Sequence, residues 1–134
     1  MIGVTLDSNV YISALQYGGI GARLLGMARA GIIRLDISEA IIKETVGVLR
    51  DKFHWNCYGL HFAGFELQKI GNVVEPSQML NVTGDPEDNR VLECAVAAES
   101  DVIITEDKGL LRLGEYDGIK IVRPSEFLQR GIEP

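Results

Sequence analysis

Short apolar runs alternate along the chain with segments whose apolar residues recur at helical spacing, and this alternation limits the fold more than any other feature. Runs that predict buried strands lie at 2–6 (IGVTL), 32–37, 73–75, 101–105 and 119–122. Segments that predict helices lie at 9–16, 20–30, 38–53, 60–70 and 84–100, and from Pro124 onward. Parallel strands joined by helices need crossover connections. We therefore predict an α/β fold, a three-layer α/β/α sandwich around a mostly parallel central sheet.

Length and composition favour one soluble domain over residues 1–134. The chain has 134 residues, of which 46% are hydrophobic and 24% are charged, as in ordinary globular domains. No stretch approaches the roughly 18 apolar residues that a membrane span needs. The first residues lack a signal-peptide pattern, so we expect a cytoplasmic protein without membrane contact. Cys57 and Cys94 match no motif and are expected to be reduced thiols.

The net charge of −6 and the pI of about 4.9 speak against a generic basic nucleic-acid binder. They do not exclude an enzyme that acts on nucleic acid. Carboxylates that hold Mg²⁺ lower the formal charge of a protein, and the bound metal restores part of that charge locally. The placement of the carboxylates along the chain therefore decides whether a metal site is possible.

Two carboxylates follow directly after predicted strands. Asp7 comes after the run 2–6, and Asp107 comes just after the run 101–105. Sites in open parallel sheets form outside the carboxyl ends of the strands. A buried charge without partners is costly, so an acid at such a position either caps the next helix or belongs to a site. We expect Asp7 and Asp107 to converge on the same edge of the sheet.

Three further acids are candidates, and the residues alone leave their roles open. Asp88 lies in the first turn of the helix at 84–100, where acids are also favoured by the helix dipole. Asp85 is better explained as the N-cap of that helix, followed by Pro86 at the first helical position. Glu44 lies at the flank of an apolar helical stripe, where periodicity alone favours a solvent-exposed residue.

Four stretches resemble the PIN domain, in the family's order and over nearly the whole chain. They are LDSNVYISAL near the start, SEAIIKETVGVLR after the second strand, GDPEDNRVLECAVAAESDVIITEDKGLL at 84–111, and IVRPSEFL near the end. The resemblance implies a metal-dependent nuclease that acts mostly on RNA, and it is closest to toxin-like members of toxin–antitoxin modules. The family's catalytic acids correspond to Asp7, Glu44, Asp88 and Asp107, and its polar helpers to Asn9 and Thr105.

Mg²⁺ or Mn²⁺ is the cofactor that the resemblance implies, with Asp7, Asp88 and Asp107 as its ligands. The chemistry of the residues agrees with this assignment. Both ions take oxygen ligands and use a few carboxylates together with substrate phosphate. Several acids around one pocket repel each other unless a divalent cation neutralises them. Metal-assisted hydrolysis needs no covalent nucleophile, which fits a sequence without a Ser-His-Asp or Cys-His arrangement.

Residues around Asp107 give a substrate-binding hypothesis and one departure from the family pattern. Lys108 and Arg112 follow Asp107 in an otherwise acidic protein and are candidates for binding substrate phosphates, although a solvated helix face explains them equally well. Glu106 stands where Gly or Arg is more usual in the family. Because neighbours on an extended chain face opposite sides, we expect Glu106 to point away from the site.

Other readings of the sequence are weaker. A HAD-type phosphatase would need a second Asp at position 9, which is Asn, and a receiver domain would need a phosphorylatable Asp after a middle strand. His54, Cys57 and His61 are zinc-capable residues without an evident fourth ligand. The remaining alternatives are an RNA-processing PIN nuclease without a toxin role and a PIN-fold protein that binds without cutting.

The resemblance also implies partners besides the RNA substrate. A small antitoxin protein would silence a toxin-like nuclease, and family members often pair as homodimers. An Arg or Lys of the antitoxin would enter the acidic pocket through charge-assisted hydrogen bonds. Apolar residues around Leu24, Leu25 and Met27, or Ile41 and Ile42, would offer its helix a groove unless they belong to the core.

Overall fold

The computed structural model describes residues 1–130, and it contains one six-stranded sheet with helices around it. The strands are β1 (Ile2–Leu6), β2 (Ile33–Ser38), β3 (Gly71–Val74), β4 (Val102–Ile104), β5 (Glu115–Tyr116) and β6 (Ile119–Val122). The helices are α1 (Ser8–Tyr17), α2 (Gly19–Arg29), α3 (Glu39–Asp51), α4 (Cys57–Ile70), α5 (Pro86–Ala98), α6 (Lys108–Leu113) and α7 (Pro124–Arg130). The strand order is β3-β2-β1-β4-β6-β5, and all pairings are parallel except that of β5 with β6. The predicted three-layer α/β/α fold is confirmed.

The core is built on the central strands β1, β2 and β4, whose apolar residues are buried on both faces, as in other parallel sheets. Val4, Leu6 and Ile104 are fully buried. The helix α5 packs across β1, β2, β3 and β4. Leu24 and Ile41, which the sequence left as candidates for a partner groove, are 0% and 2% exposed and belong to this core.

The helices begin and end where the local sequence directs. Ser38 accepts a hydrogen bond from the backbone N–H of Ile41 and so caps α3, as its position predicts. The break between α1 and α2 falls at Gly18 and Gly19, whose φ angles of +84° and +65° favour glycine. The helix α4 begins earlier than predicted because the Asn56 side chain accepts from the N–H of Gly59.

The short strand β5 is absent from the sequence-based prediction. It forms a hairpin with β6, and the turn residues Asp117 and Gly118 have φ angles of +53° and +79°. Asp-Gly is a favoured pair for such a turn, but two residues of strand carry no periodic signal of their own. Within residues 1–130, no helix is long and apolar enough to cross a membrane.

Candidate metal centre

Asp7 lies at the carboxyl end of β1 and is held there by β4. Its backbone N–H donates to the carbonyl oxygen of Ile104 at 3.1 Å, which continues the pairing of the two strands by one residue. The Thr105 hydroxyl donates to Asp7 Oδ2 at 2.8 Å. The side chain of Asp7 is almost completely buried, and Thr105 is completely buried. The geometry therefore fixes one carboxylate at the edge of the sheet where the sequence predicted it.

Thr105 also links Asp7 to Asp107. The backbone N–H of Asp107 donates to Thr105 Oγ1 at 2.9 Å, while Asp107 Oδ2 accepts from the N–H of Leu110 at 2.9 Å and caps α6. One hydroxyl thus accepts from one acid's backbone and donates to the other acid's side chain. The structure therefore places Thr105 between the two acids.

The first turn of α5 brings two more carboxylates to this edge. Asp85 Oδ1 caps the helix by accepting from the N–H of Glu87 at 2.9 Å. Asp88 lies one turn later and is only 5% exposed. One ligand oxygen from each of Asp85, Asp88 and Asp107 lies within 4.8 Å of the others. Asp85 therefore both caps the helix and offers a carboxylate oxygen to the cluster.

Asn89 holds the loop that leads into this turn, and sequence analysis missed it. Its Oδ1 accepts from the backbone N–H groups of Val82 and Thr83 at 3.1 and 2.9 Å, and its Nδ2 donates to the Thr83 carbonyl at 3.1 Å. The residue is 3% exposed. Neither periodicity nor charge marks Asn89 in the sequence, and its contacts exist only once the loop folds against α5. Asn89 fixes the loop and so the position of Asp85.

The other predicted residues surround this cluster. Glu44 is half-buried on α3, and its pKa is raised by burial and by the nearby acids Glu87, Asp7 and Asp85. The Asn9 side chain is exposed, while its backbone N–H contacts the Asp7 carboxylate.

Three charged residues flank Asp107 on its own segment of chain. Lys108 and Arg112 are exposed and line a cavity of about 670 Å³ together with Asp85, Asp88 and Asp107. Glu106 makes a salt bridge with Arg123 at 3.3 Å. That contact turns Glu106 toward the chain before α7, as the alternation of an extended chain predicts.

No basic side chain of the described residues forms an ion pair with the clustered acids, and the pKa values of Asp88 and Asp7 are raised. Burial, hydrogen bonding to Asp107 and the charges of neighbouring acids raise the pKa of Asp88 to about 7. Burial, opposed in part by the hydrogen bond from Thr105, raises the pKa of Asp7. Within residues 1–130, none of the ion pairs involves Asp7, Asp85, Asp88 or Asp107. A bound cation would therefore offset the negative charge of this cluster.

The donor set fits a hard divalent cation. All the clustered ligand atoms are carboxylate oxygens, which suit Mg²⁺, Mn²⁺ or Ca²⁺ rather than softer metals. The cluster shares Asp88 and Asp107 with the predicted ligand set but holds Asp85 in the third place, with Asp7 alongside. In the described part of the chain, His54, Cys57 and His61 belong to no comparable group of ligand atoms, so zinc gains no support.

A parallel α/β/α domain with clustered acids at the carboxyl ends of its strands could hold a divalent cation at that edge. The family model described as PIN domain matches residues 3–109, which is well over half of the chain, so this protein belongs to the PIN domain family. PIN domains are generally nucleases. Asp7, Glu44, Asp88 and Asp107 all fall in the matched segment, and Arg112 lies beyond it. No curated protein sequence matches the chain.

The raised pKa of Asp88 predicts how the stability of the metal-free protein depends on pH. An unfolded Asp ionises near pH 4, whereas folded Asp88 ionises at about 7. The folded state holds its proton more tightly between these values, so its contribution to stability is present below pH 4 and is lost as pH rises toward 7. Asp88→Asn should lose less stability over this range than the wild type, as measured by urea unfolding in chelator.

Glu106→Gln is the matched control for that experiment, because Glu106 points away from the cluster. It should keep the wild-type fall in stability from pH 5 to pH 8. Added Mg²⁺ should raise the stability of the wild type at pH 8 more than that of Asp88→Asn. Equal pH dependence in the wild type and Asp88→Asn would show that burial of Asp88 imposes no charge penalty.

Gly109 leaves room for the carboxylates of Asp107 and Asp88, which gives a second prediction. A Cβ at this position would lie 3.0 Å from Asp107 Oδ2 and 3.2 Å from Asp88 Oδ2. Gly109→Ala should therefore displace the carboxylates and weaken Mn²⁺ binding in calorimetry. Ala favours the helix by up to about 1 kcal/mol. This gain offsets a weaker capping hydrogen bond from the Leu110 N–H to Asp107 Oδ2, so the melting temperature in chelator should change little.

Gly26→Ala is the control for helix propensity, since a Cβ on Gly26 of α2 meets nothing within 4 Å. It should raise the melting temperature and leave Mn²⁺ affinity unchanged. Wild-type Mn²⁺ affinity in Gly109→Ala would contradict the assignment of Asp88 and Asp107 to one metal centre.

Proposed function

We propose that the protein is a metal-dependent endoribonuclease that hydrolyses phosphodiester bonds in RNA. The observation that carries the proposal is the group of three carboxylates, Asp85, Asp88 and Asp107, with ligand oxygens within 4.8 Å of one another and no basic side chain paired to them in the described chain. Membership of the PIN domain family supports a nuclease. In this proposal, a divalent cation bound among these carboxylates would also contact a substrate phosphate.

In this proposal the residues of the site have different roles. Asp88 and Asp107 would hold Mg²⁺ or Mn²⁺, with Asp7 or Asp85 beside them. A bound divalent cation would supply a water of lowered pKa and offset the charge of the phosphate. Thr105 orients the Asp7 carboxylate through its hydroxyl.

Two other predicted residues have their roles in this proposal. Glu44, whose pKa is raised, would accept a proton from the attacking water. Asn9 places its backbone N–H against Asp7. Glu44 would therefore lie beside the substrate, whereas Asn9 would keep the Asp7 carboxylate in place.

We further propose that this nuclease is the toxin of a toxin–antitoxin module in the cytoplasm. A basic side chain of the antitoxin would enter the acidic cluster and exclude both metal and phosphate. Tyr58, Phe62 and Phe65 of α4 are 83%, 61% and 62% exposed and lie at helical spacing on one face. This apolar surface supports a protein partner, although pairing as a homodimer would use such a surface equally well.

Loss of metal-dependent cleavage in acid-to-amide variants tests the ribonuclease. Asp7→Asn, Asp88→Asn and Asp107→Asn should each lower cleavage of total RNA in Mg²⁺ or Mn²⁺ by at least about 100-fold, because each removes a charged group of the metal centre. Chelator should abolish wild-type cleavage. Melting temperatures in chelator should stay level or rise, since like charges have been removed.

Glu106→Gln again provides the control, as an acid next to Asp107 that faces Arg123. It should cleave at nearly the wild-type rate. Cleavage that persists in Asp88→Asn, or that resists chelator, would overturn the proposed chemistry. RNA binding without cleavage in the wild type would instead identify a non-catalytic PIN-fold binding protein.

Expression of the chain alone in a bacterial host tests the toxin role. We expect growth arrest with the wild type and with Glu106→Gln, and normal growth with Asp88→Asn, because arrest requires cleavage. Co-expression of the product of the adjacent gene should restore growth. Harmless expression of a protein that still cuts RNA in vitro would identify an RNA-processing nuclease without a toxin role.

A further inference from the structure

One cavity joins the acidic cluster to a surface that the metal chemistry does not use. It has a volume of about 670 Å³ and lies between the loop at 82–85 and the helix α6. Asp85, Asp88 and Asp107 form one side of it. Ligand pockets of roughly 300–1,000 Å³ hold small organic molecules, so a single nucleotide is within its capacity. We call it the α6 cavity.

The second side of the α6 cavity is cationic. Lys108 and Arg112 both line it and are four residues apart on α6, which places them on one face of the helix. In the described part of the chain, neither residue forms a salt bridge. Both charges are therefore available to a phosphate, and Arg in particular suits bidentate contact with phosphate oxygens.

The third side of the α6 cavity is apolar and accessible. Val82 and Leu113 line it, and they are 38% and 37% exposed. Val82 is held in place because its backbone N–H donates to the buried Asn89 side chain. A nucleotide could place its base against the apolar side chains and its phosphate against the cations. A metal ion would need neither the apolar nor the cationic side chains.

We propose that the α6 cavity binds the unpaired nucleotide next to the cleaved phosphate, with its base against Val82 and Leu113 and its phosphate between Lys108 and Arg112. That the neighbouring phosphate is the one cleaved rests on the proposed nuclease function, but the binding of the nucleotide does not. A base within a duplex is stacked and paired, so it cannot enter a cavity without being extruded. The cavity therefore selects single-stranded RNA and makes Val82 and Leu113 determinants of base preference.

Fluorescence anisotropy with two labelled probes tests the proposal in the Asp7→Asn background, which prevents cleavage. The probes are single-stranded hexauridylate and an oligomer of the same length built from abasic units. Val82→Ser and Leu113→Ser should each weaken hexauridylate binding by about fivefold, because apolar contact with the base is lost. They should leave binding of the abasic oligomer unchanged.

Lys108→Gln and Arg112→Gln should weaken binding of both probes. Each should also lower the slope of log affinity against log salt by about 0.7, the value for one phosphate contact on a single strand. Lys69→Gln, in the last turn of α4 before β3, and Ile32→Ser, just before β2, are matched controls at the opposite edge of the sheet. Neither should change affinity or slope.

Several outcomes would overturn the subsite. These are equal losses in the controls, an unchanged salt slope in both cation variants, or equal loss of both probes in the apolar variants. Tight binding of a fully paired hexamer duplex would also contradict it. Failure of the nuclease proposal is distinguishable, because a wild type that does not cut RNA but shows the expected binding losses would retain the nucleotide subsite.

Discussion

The parallel pairing of β1 with β4 is the constraint on which the acidic site depends. The pairing runs one residue past the strand, where the N–H of Asp7 donates to the Ile104 carbonyl at 3.1 Å. Thr105 then joins the Asp7 side chain to the backbone of Asp107 through bonds of 2.8 and 2.9 Å. Two acids 100 residues apart in the sequence are thereby held at fixed positions by backbone groups and the Thr105 hydroxyl rather than by a counter-charge. The pairing of β1 with β4 therefore holds the two carboxylates near each other despite their mutual repulsion.

The positions of acids that follow from topology could be predicted from the sequence. Roles that depend on side-chain geometry could not. Asp7 and Asp107 follow predicted parallel strands, so their convergence could be inferred without coordinates. The sequence predicts only the capping role for Asp85, and the structure confirms that role. A carboxylate that caps with one oxygen retains another for the cluster, which the sequence does not show. Asn89 carries no periodic or charge signal, and its contacts with Val82 and Thr83 arise only once the loop folds back on α5. The fold class and the family resemblance were both confirmed.

Asp36 shows by contrast why the acids at the sheet edge are unlike a structural carboxylate. It is fully buried in β2, where the Arg34 guanidinium donates two hydrogen bonds at 2.7 and 3.0 Å. Ser100 and Asn72 donate two more, at 2.7 and 3.0 Å. These four hydrogen bonds satisfy the Asp36 carboxylate within the protein, so it needs no ligand. Asp88 is nearly as buried but faces other carboxylates, and burial together with these neighbours raises its pKa to about 7.

The neighbours Glu106 and Asp107 show how closely this distinction depends on chain direction. Both are acids in the short extended segment between β4 and α6, and alternation sends their side chains to opposite sides. Glu106 meets Arg123 at 3.3 Å in solvent, where an ion pair adds little to stability. Asp107 turns inward, caps α6 and approaches Asp88. A shift of one residue would turn Glu106 inward and Asp107 outward, so that the longer Glu side chain would face Asp88 and the N-terminus of α6. The hydrogen bond from the N–H of Asp107 to Thr105 Oγ1 sets the register on which that difference depends.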